Sequence, residues 1–283
     1  MPELPEVEVL VRHLRPLLIG KTIREVEVGR AKVLQPTSPG HFQKTLCGAK
    51  FLGLQRRGKY LLFELRPQGS RKSLLLLGHL GMTGRMYLTP ESEPLPKHAA
   101  VVLDLGAKNF IYEDTRYFGR LTLDLTSVAK LGPEPLGEGF SSAGFARALK
   151  KSRQPIKVKL LDQSLIAGVG NIYASEALFR AGISPRCAAN KLTAAQTKKL
   201  RDAIRKVLTE AIACGSTLPL NFNAGRSDGL FYFGRAAGSP DFYAERLCVY
   251  DQAGQPCIRC GTGIRRIVQA ARSTFFCPHC QKN

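Results

Sequence analysis

Apolar residues recur near the start of the chain at Val7, Leu10, Val11, Leu14, Leu17 and Leu18, the spacing of one helical face. A helix is predicted over residues 3–18, with Pro2 and Pro5 at its start, where proline is tolerated, and Gly20 beyond its end. The pattern then shortens. Tyr60-Leu61-Leu62-Phe63-Glu64-Leu65, Val101-Val102-Leu103-Asp104-Leu105, Phe110-Ile111-Tyr112 and Leu121-Thr122-Leu123-Asp124-Leu125 are brief runs parted by glycines or polar turns, the mark of a sandwich or barrel. Leu131-Gly132-Pro133-Glu134-Pro135-Leu136-Gly137 reads as a linker. Beyond it the helical period returns. One helix is expected from Asn171 to Ala181, closed by Gly182. A second opens on the capping-box pair Thr193 and Gln196, lines up Leu200, Ile204, Val207, Leu208 and Ala211, and ends near Gly215. Residues 216–250 are rich in glycine and aromatics without a period, so a long loop is expected there.

Composition narrows the class. The 283 residues include 42 Lys+Arg against 22 Asp+Glu, a formal charge of +20. With 44% hydrophobic residues, wholesale disorder is excluded, and the length suits about two domains. No apolar run approaches the ~18 residues of a membrane span. The longest, Leu74 to Leu77, stops at Gly78 and His79. The acidic start Met1-Pro2-Glu3-Leu4-Pro5-Glu6 has no signal-peptide core, so a cytoplasmic protein with no membrane partner is expected. The basic excess points to a polyanion, foremost nucleic acid, because Lys and Arg neutralise phosphates. A merely soluble basic protein is the alternative.

Four of the eight cysteines form two knuckles, Cys257-Ile258-Arg259-Cys260 and Cys277-Pro278-His279-Cys280, with 16 residues between them. That spacing fits a four-thiolate zinc ribbon holding one structural zinc. Disulfides are the alternative, and the absent signal peptide speaks against them. From Gln252 to Asn283 there is no Asp or Glu, while Arg259, Arg265, Arg266, Arg272 and Lys282 are present, so the ribbon can present arginines. The remaining cysteines, Cys47, Cys187, Cys214 and Cys248, read as small thiols.

Pro2-Glu3 has chemical potential. Removal of Met1 would expose a secondary amine that titrates near ~8 and adds to an aldehyde-level carbon as an iminium. Glu3 beside it can act as a general acid. Ordinary helix-start chemistry explains the same residues.

Taken together, these segments resemble the bacterial formamidopyrimidine-DNA glycosylases, the MutM family. The resemblance rests on Met1-Pro2-Glu3-Leu4-Pro5-Glu6-Val7-Glu8, Arg56-Arg57-Gly58-Lys59-Tyr60-Leu61-Leu62, His79-Leu80-Gly81-Met82-Thr83-Gly84, Asp114-Thr115-Arg116-Tyr117-Phe118-Gly119, the linker, Asp162-Gln163 with Gly168-Val169-Gly170-Asn171, and the cysteines with Arg272-Ser273-Thr274-Phe275. It implies an α+β protein of two domains: an N-terminal β-sandwich with flanking helices, and a C-terminal helix–two-turn–helix region plus zinc ribbon. The expected divisions are 1–130, a linker at 131–140, 141–218, an aromatic-rich loop at 219–246, and the ribbon at 247–283.

The same resemblance implies a bifunctional glycosylase and abasic lyase that removes oxidised purines from damaged double-stranded DNA as a monomer. Pro2 would be the nucleophile and Glu3 the acid that opens the sugar. Lys59, on a strand, would serve β-elimination and a phosphate, and Arg272 the second elimination. His98, Lys157 and Asn171 would contact the backbone or lesion, and Glu6 would line the lesion pocket. Met82, Arg116 and Phe118 would fill the gap left by the extruded nucleotide. From the residues alone, Met82 and Phe118 also suit core packing, and Asn171 suits a helix N-cap whose glycines admit a phosphate. Lys150, Lys151, Arg153, Lys157 and Lys159 read as a basic run. Thr115, Tyr117, Ser152 and the loop 219–246, with Phe222, Phe231, Tyr232, Phe233, Phe242 and Tyr243, depart from the family pattern. An endonuclease-VIII-like enzyme for oxidised pyrimidines and a non-catalytic binder of abasic or nicked DNA stand as alternatives.

Overall fold

The computed structural model describes residues 2–215 and 247–282, so the aromatic stretch predicted as a loop at 219–246 lies outside the described residues. The described chain divides into two compact units, residue 2 with 6–129, and residues 3–5 with 130–215 and 247–282.

The first unit follows the order α1 (Leu4–Leu18), β1 (Glu25–Val28), a 3-10 turn, α2 (Pro39–Leu46), β2 (Lys50–Arg57), β3 (Tyr60–Arg66), β4 (Leu74–His79), β5 (Arg85–Pro90), β6 (Ala99–Asp104), β7 (Lys108–Glu113), β8 (Arg120–Thr122) and α3 (Thr126–Ala129). Two antiparallel four-stranded sheets form, ordered β1-β6-β7-β5 and β2-β3-β4-β8. Along β3, Leu61, Phe63 and Leu65 are buried while Tyr60, Leu62 and Glu64 are half-buried, the period-two pattern of a sheet with an inner face. Both sheets contribute to one core. Phe63 packs edge-on against Phe51 of its own sheet and against Phe110 of the other, with centroids 6.1 and 5.7 Å apart.

Helix α1 adds Val7, Leu10, Val11, Leu14 and Leu18 to that core. Leu17, expected on the same face, is 37% exposed because the stripe passes to Leu18 one residue on. Ion pairs fix the helix as well. Glu8 holds Arg12 and Arg56, each at 2.8 Å. Burial pushes the Glu8 carboxyl up, yet the two guanidinium groups more than reverse this and hold it below its usual value.

The second unit contains α4 (Ser142–Lys150), α5 (Ile156–Leu160), α6 (Asn171–Ala181), α7 (Ala194–Gly215) and the antiparallel hairpin β9 (Arg265–Gln269) and β10 (Arg272–Phe276). Gly182 closes α6 in the left-handed region at φ 70°. The capping box forms as expected: Thr193 N–H donates to Gln196 Oε1 at 2.9 Å, and Gln196 N–H donates to Thr193 Oγ1 at 3.2 Å. Leu4, Phe140, Leu149, Leu178, Leu200, Ile204 and Leu208 share its core. A smaller cluster of Phe179, Val249, Ile264, Phe275 and two cysteines seats the ribbon. Among the described residues no helix is long and apolar enough to cross a membrane.

Candidate active site

In the first unit, Arg57 pairs with Tyr60, which leaves Gly58 and Lys59 as a two-residue turn between β2 and β3. Gly58 adopts φ +57°, which the tight reversal requires and which glycine accepts without strain. Lys59 is therefore on a turn and not on a strand as the sequence suggested, and it is only 7% exposed. Beside it, His79 pairs with Tyr60, their rings 4.8 Å apart. Burial, then the charges of Lys59 and Arg120, push His79 down to about 4, so its imidazole is neutral at physiological pH. Its Nδ1 accepts the Gly81 N–H at 3.2 Å, leaving the proton on Nε2. Pro2 and Glu6 are buried.

Two loops follow from this edge. Met82 is 43% exposed and Phe118 51%, so neither packs in the core. The Arg116 guanidinium lies 5.0 Å from the Phe118 ring centroid. A Cβ on Gly81 would strike the backbone of Phe118 and Gly119, and one on Gly119 would strike the Tyr112 hydroxyl and the His79 carbonyl. The loops thus touch main chain to main chain. Buried Asp114 knits them, accepting from Thr83 Oγ1 at 2.7 Å and from the N–H groups of Arg116 and Gly119. Sequence reasoning passed over this residue as part of a motif. Its one local signal was the Asx-turn habit of an aspartate bonding the N–H two residues on. Tyr117, a departure from the family pattern, sits at φ 52° with Arg30 over its ring at 5.2 Å, and its hydroxyl lies 3.4 Å from His98 Nδ1.

In the second unit, Glu3 is 1% exposed. Its carboxylate accepts the N–H of Ile172 at 2.9 Å and of Tyr173 at 3.3 Å, in the first turn of α6. The helix N-terminus that the sequence offered to a phosphate is thus engaged by a side chain of this chain. Gly170, not Asn171, is the N-cap. A Cβ at Gly170 would collide with the Glu3 carboxyl, and one at Gly168 with the Leu4 side chain. These glycines therefore make room for residues 3 and 4, a role hidden from local sequence reading.

Asn171 turns toward the hairpin. Its Nδ2 donates to the Ser273 carbonyl at 3.0 Å, and its Oδ1 accepts from Lys157 Nζ at 2.6 Å. Lys157 also reaches Thr274 Oγ1 at 3.4 Å and is 1% exposed. The expected basic run is thereby broken up: Lys157 points inward, Lys159 pairs with Asp162 at 2.7 Å, and Lys150 donates to the Asn190 carbonyl. Burial pushes the Lys157 ammonium down to about 8, Glu3 opposing the fall and Arg272 adding to it. Arg272 itself is exposed at the start of β10.

This depression has a measurable sign. The unfolded chain holds the lysine proton up to its ordinary value of 10.5. Between pH 8 and 10.5 the unfolded state therefore binds more protons, and the stability this lysine contributes rises with pH. The difference in melting temperature between wild type and Lys157→Met should climb across that window and stay level below pH 7. A level difference throughout would argue against a buried ammonium.

The Sγ atoms of Cys257, Cys260, Cys277 and Cys280 all lie within 4.8 Å of one another. Cys257 and Cys280 are 3.9 Å apart, and Cys260 and Cys277 3.5 Å. Tetrahedral zinc with Zn–S bonds of ~2.3 Å needs sulfurs ~3.8 Å apart, so the set fits the ion. N–H groups of Arg259 and Cys280 point at Cys257 and Cys277 sulfurs at 3.4 and 3.3 Å, which favours thiolates. His279 is exposed, outside the set. Buried Glu176 anchors the chain entering the ribbon, taking the N–H groups of Cys248, Val249 and Tyr250 at 2.8–2.9 Å.

Comparison with known proteins agrees with both units. Residues 1–121 match the family model for the formamidopyrimidine-DNA glycosylase N-terminal domain, 131–220 that for its H2TH domain, and 254–283 a zinc finger found in FPG and IleRS. The four cysteines accordingly form a structural zinc site. Formamidopyrimidine-DNA glycosylase of Desulfitobacterium hafniense is 42% identical over 288 residues, covering 99% of this chain and all of the relative. Among solved structures, the Lactococcus lactis enzyme bound to DNA containing N7-benzyl-Fapy-dG superposes with a TM-score of 0.86 at 34% identity, with both chains fully covered. The same enzyme bound to DNA with an oxidised pyrimidine superposes equally well, again at 34% identity over both full chains.

Proposed function

The chain belongs to the formamidopyrimidine-DNA glycosylase family, a DNA-repair glycosylase with abasic-lyase activity, and from that premise we propose that it excises 8-oxoguanine and formamidopyrimidines from double-stranded DNA through Pro2. With Met1 removed, the Pro2 nitrogen adds to C1′ of the extruded nucleotide. The base leaves with the electrons of the glycosidic bond and is protonated. The Glu3 carboxylate takes the N–H proton of the Pro2 nitrogen now bonded to C1′ and passes it to the ring oxygen, the C1′–O4′ bond opens, and a C1′=N iminium remains. Loss of a C2′ proton expels the 3′ phosphate, with Lys59 as acid/base. A second elimination, served by Arg272, expels the 5′ phosphate, and water releases the proline.

The observation that carries this reading is the seat of Glu3. A buried carboxylate directly follows the amine, and both its oxygens are fixed by the α6 backbone. Such an acid is pre-oriented, as general acid catalysis requires. Met82, Phe118 and Arg116 serve extrusion. Unstacking a base costs a few kcal/mol, and inserted apolar side chains offset part of it. Exposed apolar side chains on glycine-bounded loops suit that task. On the phosphate side stand His98, Lys157 and Asn171. The partner is then damaged duplex DNA, met as a monomer in the cytoplasm.

The decisive experiment is borohydride trapping on abasic DNA. Pro2→Gly retains a primary amine, so the adduct should fall about tenfold or more without vanishing. Wild-type trapping by this variant would count against Pro2, and no adduct with wild-type protein would leave a non-catalytic binder. Excision from 8-oxoguanine·C against thymine-glycol duplexes tests the lesion class. The neighbour with oxidised-pyrimidine DNA makes the second arm necessary. Faster removal of thymine glycol would reverse the assignment.

A further inference from the structure

We propose that Asp114 is the positioning residue for the wedge, holding the Met82 loop and the Arg116–Phe118 loop in one fixed arrangement; this rests on the reading of Met82, Arg116 and Phe118 as the side chains that replace the extruded nucleotide.

Asp114 has no exposed surface. Its carboxylate takes hydrogen bonds from four groups. Oδ1 accepts from Thr83 Oγ1 at 2.7 Å and from the Arg116 N–H at 3.1 Å. Oδ2 accepts from the Gly119 N–H at 2.9 Å and from the Tyr112 hydroxyl at 3.4 Å. Thr83 is the residue after Met82, while Arg116 and Gly119 bracket Phe118. One carboxylate therefore fastens both loops, one through each side of the wedge. Its own N–H donates to the His98 carbonyl at 3.2 Å, which fixes it to the start of β6. The wedge side chains make few contacts of their own, being 43% and 51% exposed, so their placement depends on the backbone beneath them.

A carboxylate suits this position better than its amide. Two of the four donors are backbone N–H groups, one on each oxygen, and a backbone N–H cannot accept. In Asp114→Asn, either orientation of the amide sets its NH₂ against one of them. The loop must then open at Arg116 or at Gly119, leaving an unmet buried donor. The sheets beneath are untouched, because Asp114 follows β7 and precedes β8.

The test compares wild type, Asp114→Asn, Met82→Ala and the double variant in single-turnover excision from an 8-oxoguanine·C duplex and in trapping on a single-stranded abasic site, which needs no wedge. A 2-aminopurine beside the lesion reports unstacking. Asp114→Asn should lower the duplex-to-single-strand rate ratio about 10- to 100-fold, the loss expected for a hydrogen bond to a charged group, and should remove the 2-aminopurine fluorescence rise. The double variant should fall no more than about threefold below Met82→Ala, since both act on one step. Thr83→Val removes only the Thr83 bond and should shift the ratio in the same direction by a smaller factor, which keeps the test open if Asp114→Asn folds poorly. If Met82→Ala leaves the ratio unchanged, the wedge reading itself falls and this proposal with it. If Met82→Ala lowers the ratio while Asp114→Asn and Thr83→Val leave it unchanged, or lower both rates equally, the Asp114 assignment alone is overturned.

Discussion

Glu3→Gln should lower the single-turnover excision of 8-oxoguanine from duplex DNA by about 10²- to 10⁴-fold, the range for removal of a general acid. Two losses combine in this variant. Glutamine has no proton to give to the sugar oxygen at neutral pH. It also has one acceptor oxygen where the native seat uses two, so its NH₂ group faces the N–H of either Ile172 or Tyr173. Gly170→Ala separates the two losses. Its Cβ would collide with the Glu3 carboxyl, so the acid is retained and its seat is lost. Excision by Gly170→Ala should come within about tenfold of Glu3→Gln if orientation carries most of the effect. Wild-type excision by Gly170→Ala would assign the whole effect to the proton. On preformed abasic DNA, which already equilibrates with its open aldehyde, the Glu3→Gln loss should shrink to about tenfold or less in borohydride trapping. A loss of equal size on both substrates would move Glu3 from sugar opening to a later step.

What the sequence disclosed and what it hid follow one physical division. Signals confined to a few neighbouring residues were legible. The stripe Val7, Leu10, Val11, Leu14, Leu18 needs only the helical repeat, the Thr193–Gln196 box closes within one turn, and each cysteine knuckle spans four positions. Features decided by distant partners were not. Whether Arg56-Arg57-Gly58-Lys59-Tyr60 continues a strand or reverses depends on Arg57 meeting Tyr60 across a hairpin, and only Gly58 hinted at it. The glycines at 168 and 170 look like a phosphate cradle until residues 3 and 4, far away in sequence, arrive against them. Lys157 reads as one cation among several, and its burial comes from Asn171 and Thr274. The exposure of Met82 and Phe118 was likewise open, because an apolar residue on a short loop suits a core as well as a wedge.

Loss of zinc should differ from loss of Glu3 in kind. Structural zinc contributes roughly 10–16 kcal/mol in small fingers, which matches or exceeds the ~5–15 kcal/mol stability of a whole domain. The ribbon's own core is a handful of side chains around Phe179, Ile264 and Phe275, too small to stand alone. Cys277→Ser, at a fully buried ligand, should therefore release the β9–β10 hairpin. The damage stays local, because Glu176 fastens the entering chain at Cys248, Val249 and Tyr250 without the metal. Far-UV circular dichroism should change little, since the hairpin strands hold five residues each. DNA binding should change greatly. β10 carries Arg272, supplies the Ser273 carbonyl that orients Asn171, and supplies the Thr274 hydroxyl beside Lys157. Freeing it disperses at once three groups proposed to face phosphates, and duplex affinity by fluorescence anisotropy should fall at least ~100-fold with a shallower salt dependence. Excision and trapping should then fall together, whereas Glu3→Gln should lower excision far more than trapping. A chelator should reproduce the loss in wild type, and added zinc should reverse it there and leave Cys277→Ser unrepaired. A zinc-free protein with wild-type affinity and salt slope would mean that Arg272, Asn171 and Lys157 contact DNA independently of the ribbon.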